Sequence, residues 1–426
     1  MTGSGHPFAV RDFRFFWTAR LCATLAQNSL VVVIGWQVYG LARATMGIKR
    51  AALQLGLIGL AQFLPLFALT LVTGWVADRM DRRHIAMLCI ALQLFCAAGL
   101  AIPNLLHNLS LGMLFVVAVL LGVARAFSMP ALSALAPNIV PRALVPRAIA
   151  ANAIATRIGA VVGPALGGYL YAASPSLPYT VSAALLAISF AAMAFLRPIA
   201  RTAIDGRRNP WRQMLDGLAY VRHNRIVLGA ISLDLFAVLL GGATAMLPIY
   251  AQDILHTGPT GLGDLRAAPA VGAVAAAAWF SWRPLSRDIG IKMLVSVGVF
   301  GAATMVFGLS RWMPLSLVSL FLLGAADMFS VYVRQSLIQI RTPDDMRGRV
   351  GAVSTLFVSA SNELGEAESG FLAALIGPVE AVVAGGFGAI LVALLWARMF
   401  PMLRHARTFD HGHEPPLAPP AAAPGP

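Results

Sequence analysis

An all-α membrane protein of twelve transmembrane helices, arranged as two pseudo-symmetric six-helix bundles, is the fold class this sequence predicts. Three observations predict it. Hydrophobic residues make up 58% of the 426 positions and charged residues only 12%, about half the roughly 25% of a soluble domain. The apolar residues fall in runs long enough to cross a bilayer, about 20 residues each. The charges fall in short links between those runs, and arginine-rich links alternate with arginine-poor ones.

The spans read, in order, as roughly 14–41, 52–77, 84–104, 110–134, 147–172, 177–196, 224–251, 264–282, 290–309, 314–338, 349–374 and 379–400. Links after even-numbered spans carry Arg79, Arg82 and Arg83, then Arg142 and Arg147, and so on to Arg341, Arg347 and Arg349. Links after odd-numbered spans carry only Arg43, Lys49, Arg50 and Arg311, with Arg266 near a span start. Positive charge collects on the cytoplasmic side, so both termini are expected in the cytoplasm of a bacterial inner-membrane protein. The first apolar run, Phe15 to Leu41, is too long for the apolar core of a signal peptide.

The chain then divides into a cytoplasmic segment 1–13, a first bundle 14–196, a basic linker 197–223, a second bundle 224–400 and a disordered tail 401–426. Within the linker, Trp211, Leu215, Leu218 and Tyr220 alternate with Arg212, Asp216 and Arg222, the pattern of an interfacial amphipathic helix. An internal repeat supports the two halves. Shifting the chain by 202 residues brings Gly122 onto Gly324, Pro141 onto Pro343, Arg147 onto Arg349, Gly163 onto Gly365 and Gly168 onto Gly370, without a gap.

The net charge of +14 does not point to nucleic acid, because the arginines sit in links and not along one face. Cys22, Cys89 and Cys96 all fall inside spans without CxxC spacing, as small buried residues do. No phosphate-binding loop, nucleophile–base pair or metal-ligand cluster is present, so neither an enzyme nor a bound cofactor or metal is expected. A His411-Gly-His413 pair lies in the tail and reads as solvated chain.

Two local motifs carry a family resemblance. Between spans two and three stands Gly74-x3-Asp78-Arg79-x2-Arg82-Arg83, with Asp81 at the turn. In span five, Ala151, Ala155, Gly159, Gly163 and Gly167 recur every four residues, with Pro164 and Gly168 beside them. That stripe lets backbones approach, and the proline removes a hydrogen bond in mid-span. The first motif resembles the loop signature of the major facilitator superfamily, which usually has Gly where this chain has Asp81. The second resembles the fifth-helix motif of that superfamily's exporters, mainly drug/proton antiporters. Phe13-Arg14-Phe-Phe-Trp17-x2-Arg20 and Thr342-Pro343-Asp-Asp-Met346-Arg347-Gly348-Arg349-Val350 add a resemblance to the branch with enterobactin-type siderophore exporters. The resemblance implies the major facilitator fold and a gating latch, with Asp78 facing the helix-eleven N-terminus and Arg79, Arg82 and Arg83 pairing with carboxylates or lipid phosphates. The usual fourth-helix arginine is absent in register, its place being Ala118.

Charges at bilayer depth locate the working parts, since each costs on the order of 2.5–3.5 kcal/mol there unless paired or wetted. Helix eleven carries Glu363, Glu366 and Glu368; the first two share a face and the third points away. Two neighbouring carboxyls resist double ionisation and so can pass a proton. Asp234 and Asp327 are further intramembrane acids, with Arg125, Arg157 and Arg334 as countercharges. Structural pairing between helices is the plainer use of such groups, but no cation shares the helix with the glutamate pair near it. Arg125 and Asp327 occupy equivalent repeat positions, so an Arg125–Asp327 bridge across the cavity is expected.

The leading functional expectation is a monomeric secondary exporter, trading protons for a small amphipathic cargo such as a siderophore or drug by alternating access. A lipid transporter of the lysophospholipid type and a transport-inactive receptor or assembly factor are the alternatives. Lateral openings between helices would favour the first of these.

Overall fold

The computed structural model describes residues 6–197, 210–283, 285 and 288–406, with side chains at all of these but 70–72, 74, 75, 77–79, 134, 210–213 and 345. The first bundle contains α1 (Arg11–Thr45), α2 (Ile48–Arg79), α3 (Arg82–Leu105), α4 (Leu111–Ile139), α5 (Val145–Ala173) and α6 (Leu177–Ala194). The linker helix α7 (Pro210–His223) follows. The seventh span is broken: α8 (Arg225–Leu240), a 3-10 turn (Ala243–Met246), α9 (Leu247–Ile249) and a π-helical turn (Tyr250–Ile254). The second bundle continues with α10 (Gly258–Trp282), α11 (Ile289–Leu309), α12 (Met313–Arg341), α13 (Asp344–Leu375) and α14 (Pro378–Met399), then a short α15 (Pro401–Arg404).

Helix starts follow local chemistry. Asp81 caps α3 by accepting from the Arg83 amide at 2.9 Å, Ser110 caps α4 through the Met113 amide at 3.3 Å, and Asn224 caps α8 through the Val227 amide at 3.2 Å. The acid at position 81 thus has a local use. On α3, Leu88, Phe95 and Ile102 repeat every seven residues and all are exposed, the stripe a lipid-facing helix presents. Among the described residues, ten stretches are long and apolar enough to cross a membrane. The two bundle helices outside that set, α10 and α13, carry Arg266, and Glu363 and Glu366. Polar groups that lower a helix's lipid solubility are kept where they line an interior.

The two bundles repeat one packing plan at their glycines. A Cβ on Gly122 would strike the Gln62 carbonyl of α2, and one on Gly324 the Pro269 carbonyl of α10. Gly163 lies on α1, where a Cβ would come 2.7 Å from the Asn28 Cβ; Gly365 lies on α8, where it would come 2.9 Å from the Leu239 carbonyl. Gly168 meets Pro259 and Gly263 of α10, and Gly370 meets Gly56 of α2. Each pair is related by the repeat read in the sequence.

Contact between the bundles runs chiefly along α2–α13 and α5–α10. Among the described residues, its closest glycine contacts, Gly56 on Gly370 and Gly168 on Gly263, lie at the helix ends remote from the arginine-rich links. At that end the Tyr39 hydroxyl donates to Asp253, Arg43 Nε pairs with Asp253 at 3.4 Å, and Lys49 Nζ donates to the Leu375 carbonyl at 2.9 Å. The molecule is closed there.

Three expectations need correction. The eighth span begins at Gly258 and not near 264, so Arg266 sits about two turns inside a helix. The chain does not become a tail at 401: Leu403 is fully buried, and the Gly290 amide donates to the Ala406 carbonyl at 3.1 Å. The linker helix α7 lies against α13 instead of resting on the bilayer alone; Gly217 abuts the Arg349 backbone, and Arg349 pairs with Asp216 at 3.2 Å. Positions 198–209 and 407–426 lie outside the described residues.

Candidate functional site

The broken seventh span sets up the site. Gly241 and Gly242 interrupt the helix, and Gly242 packs so closely on Gly365 and Ser369 of α13 that a Cβ would clash. Interruption frees backbone carbonyls that need donors inside a membrane. One is met by Arg266, whose Nη1 donates to the Thr244 carbonyl at 2.9 Å while its Nη2 lies 3.4 Å from Glu366 Oε1. Glu366 faces Gly59 of α2, where an added Cβ would come 3.5 Å from its carboxylate. These groups line a half-enclosed cavity of about 50 Å³ between the bundles, walled by Val31 and Gly35 of α1, Gly59 and Gln62 of α2, and Pro248. That is room for a few water molecules.

Glu363, one helical turn away, reaches the other bundle. Its Oε1 lies 2.6 Å from Arg125 Nη1 on α4, so the pair joins α13 to α4 across the bundle boundary. The glutamate side chain is 10% exposed and the arginine 45%; the carboxylate is sheltered and the guanidinium half-exposed. The neighbouring acids therefore have separate arginines, one from each bundle. This corrects the expected Arg125–Asp327 bridge: Arg125 is taken by Glu363.

Asp327 belongs to a second cluster, inside the second bundle. Asp234 of α8 and Arg334 of α12 form an ion pair buried on both sides. Asp327 shares a small void with Asp234 and Ser330 and has no ion-pair partner among the described residues. Arg157 of α5 comes toward the same region of α12, its Nη2 3.7 Å from Met328 Sδ. Glu368 is half-buried and is not in the Glu363–Glu366 cluster.

The small-residue motif of α5 divides between two partners. Gly159, Gly163 and Gly167 receive Thr24, Asn28 and Ser29 of α1, while Gly168 and the Pro164 carbonyl meet α10 across the bundle boundary. In the loop motif, Arg83 pairs with no carboxylate among the described residues and does not stand free for lipid phosphate. Its Nε and Nη2 donate to the Met193 and Ala194 carbonyls at 3.1 and 2.7 Å, capping α6. Arg82 makes no ion pair among the described residues. Gly74, Asp78 and Arg79 lie outside the residues whose side chains are described, and the latch expected of them with it.

Sequence reasoning missed Arg266, treating it as a link charge. The signal was present: a Gly-Gly pair and Pro248 in one apolar span imply loose carbonyls, and Arg266 is a nearby donor in the next.

Comparison with known proteins agrees with this architecture. The chain is 27% identical over 412 residues to the enterobactin exporter EntS of Citrobacter koseri, covering 96% of this chain and 95% of that one. It is 26% identical over 396 residues to EntS of Escherichia coli K12, covering 93% of each. Among solved structures, a bacterial homologue of the human lysosomal transporter Spinster superposes with a TM-score of 0.71 at 14% identity, covering 94% of this chain and 99% of that one. The nucleoside transporter NupG gives 0.67 at 13% identity, covering 91% and 99%. The family model described as Major Facilitator Superfamily matches residues 16–366. With that match spanning most of the sequence, on a fold of two six-helix bundles, the chain belongs to the major facilitator superfamily of membrane transporters.

Proposed function

We propose that the protein is a proton-coupled exporter of the bacterial inner membrane, carrying a small amphipathic molecule such as a siderophore outward by alternating access. The observation that carries this reading is the Arg125–Glu363 pair, a sheltered carboxylate held by a half-exposed guanidinium across the two bundles. The kinship with enterobactin exporters supports the direction and the cargo class.

With the arginine-rich links on the cytoplasmic side, the closed end is periplasmic and the state is inward-facing. Glu363 then represents the acid after it has released its proton inward, with Arg125 in the proton's place. Cargo entering from the cytoplasm drives the rocking of the bundles. Once the outer side opens, Glu363 takes a proton from the periplasm, lets Arg125 go and permits return. Glu366, held by Arg266 beside the central cavity, senses cargo and couples its arrival to the neighbouring acid. Asp78, with Arg79 and Arg82, forms the cytoplasmic latch in this scheme.

The test is proton release in weakly buffered detergent solution on adding candidate compounds. A transported compound is expected to release protons from the wild-type protein and none from Glu363→Gln. A compound shown to be exported that releases no protons from wild type would overturn the coupling.

A further inference from the structure

Asp264 of α10 is a charged group that neither the proposed transport cycle nor the fold explains. It sits six residues into α10, about 9 Å along the helix, at the closed end. The Tyr169 hydroxyl of α5 donates to it, 3.2 and 3.4 Å from its two oxygens. One hydroxyl proton satisfies one hydrogen bond and leaves the negative charge uncompensated. Among the described residues no arginine or lysine lies within ion-pair distance of Asp264; Arg266, two positions on, is turned inward to Glu366 and Thr244.

The surface beside Asp264 is open and apolar. It is a shallow groove of about 410 Å³ between α10 and α12, floored by Ala267 and Ala268 and walled by Val271, Leu317, Val318 and Phe321. Val271 and Val318 are exposed, as are Leu315 and Leu322 on the same side of α12. A carboxylate at the head of an apolar groove, near headgroup depth, asks for an occupant with a cation above and a hydrocarbon chain below. A bilayer lipid with an ammonium headgroup has that shape; an anionic lipid would meet Asp264 with like charge.

We propose that the α10–α12 groove is a binding site for a phosphatidylethanolamine-type lipid of the outer leaflet, its ammonium on Asp264 and its acyl chain along Val271, Leu317, Val318 and Phe321. Every named contact of that lipid belongs to α10 or α12 of the second bundle, and Tyr169 of the first bundle meets only the far side of Asp264 through its hydroxyl.

Native mass spectrometry of the full chain, released from nanodiscs of equal phosphatidylethanolamine and phosphatidylglycerol, tests this. Wild type should retain the former over the latter by about fivefold, the worth of one partly exposed ion pair near 1 kcal/mol. Asp264→Asn should abolish the preference, and Tyr169→Phe should keep it, since the hydroxyl carries no charge. No preference in wild type, retention of phosphatidylglycerol instead, or an unchanged preference in Asp264→Asn would each overturn the proposal. The wild-type comparison stands even if a variant fails to fold.

Discussion

Glu363 on α13 lies 2.6 Å from Arg125 on α4, and this ion pair ties one six-helix bundle to the other at the centre of the molecule. With the arginine about half exposed, the pair contributes no more than about 1 kcal/mol to stability, so its value lies in being breakable. Reversing it, Arg125→Glu with Glu363→Arg, should recover most of the thermal stability lost in either single reversal, because the coupling belongs to the contact. Proton-driven transport should stay absent, since the titrating group has moved to the wrong bundle. Thermal unfolding in detergent and uptake into vesicles check the two halves of this statement.

The Asp234–Arg334 pair should behave differently. Both side chains are almost fully buried. Removing one partner strands the other, at a cost of about 3–5 kcal/mol. Arg334→Leu is expected to lower the unfolding temperature sharply, and adding Asp234→Leu should restore part of the loss. A double variant less stable than both singles would show that the pair contributes more than mutual neutralisation.

Close approach of Gly56 to Gly370 closes the outer end. Gly56→Leu should hold that end apart. Gly35 lines the central cavity and has room for a side chain, so Gly35→Cys can report access. The three native cysteines are buried and should stay silent. An impermeant thiol reagent applied from the periplasmic side should label Gly35→Cys markedly faster in the Gly56→Leu background.

Asp253, held by Tyr39 and Arg43, is the electrostatic part of the same closure. Asp253→Asn removes the ion pair and keeps the shape. It should raise periplasmic labelling of Gly35→Cys less than Gly56→Leu does, because a partly exposed pair contributes about 1 kcal/mol or less whereas a steric block cannot be relaxed.

Much of this was legible in the sequence. Span number and halves follow from hydropathy and link charge, which act locally along the chain. The 202-residue register anticipated the glycine contacts, because a glycine that repeats in register marks a backbone approach that repeats in space. Partners were less legible. Arg125 was matched to Asp327 by repeat position, but pseudo-symmetry relates the environments of residues and does not bring them together. Glu363 sits where α13 faces α4, and that juxtaposition depends on helix rotation. Arg266 was misplaced because its span starts six residues earlier than its apolar run, behind Gly258-Pro259 and Gly261. The acid at 81 and the arginine at 83 were read through the family pattern; their use as caps of α3 and α6 required the fold.

The measurement that bears most directly on the account is cargo movement in proteoliposomes under an imposed pH gradient, compared with exchange at zero gradient. Glu363→Gln and Glu366→Gln should each abolish gradient-driven accumulation while leaving cargo exchange and insertion intact. Wild-type gradient-driven accumulation in both variants would contradict the assignment of proton coupling to this pair.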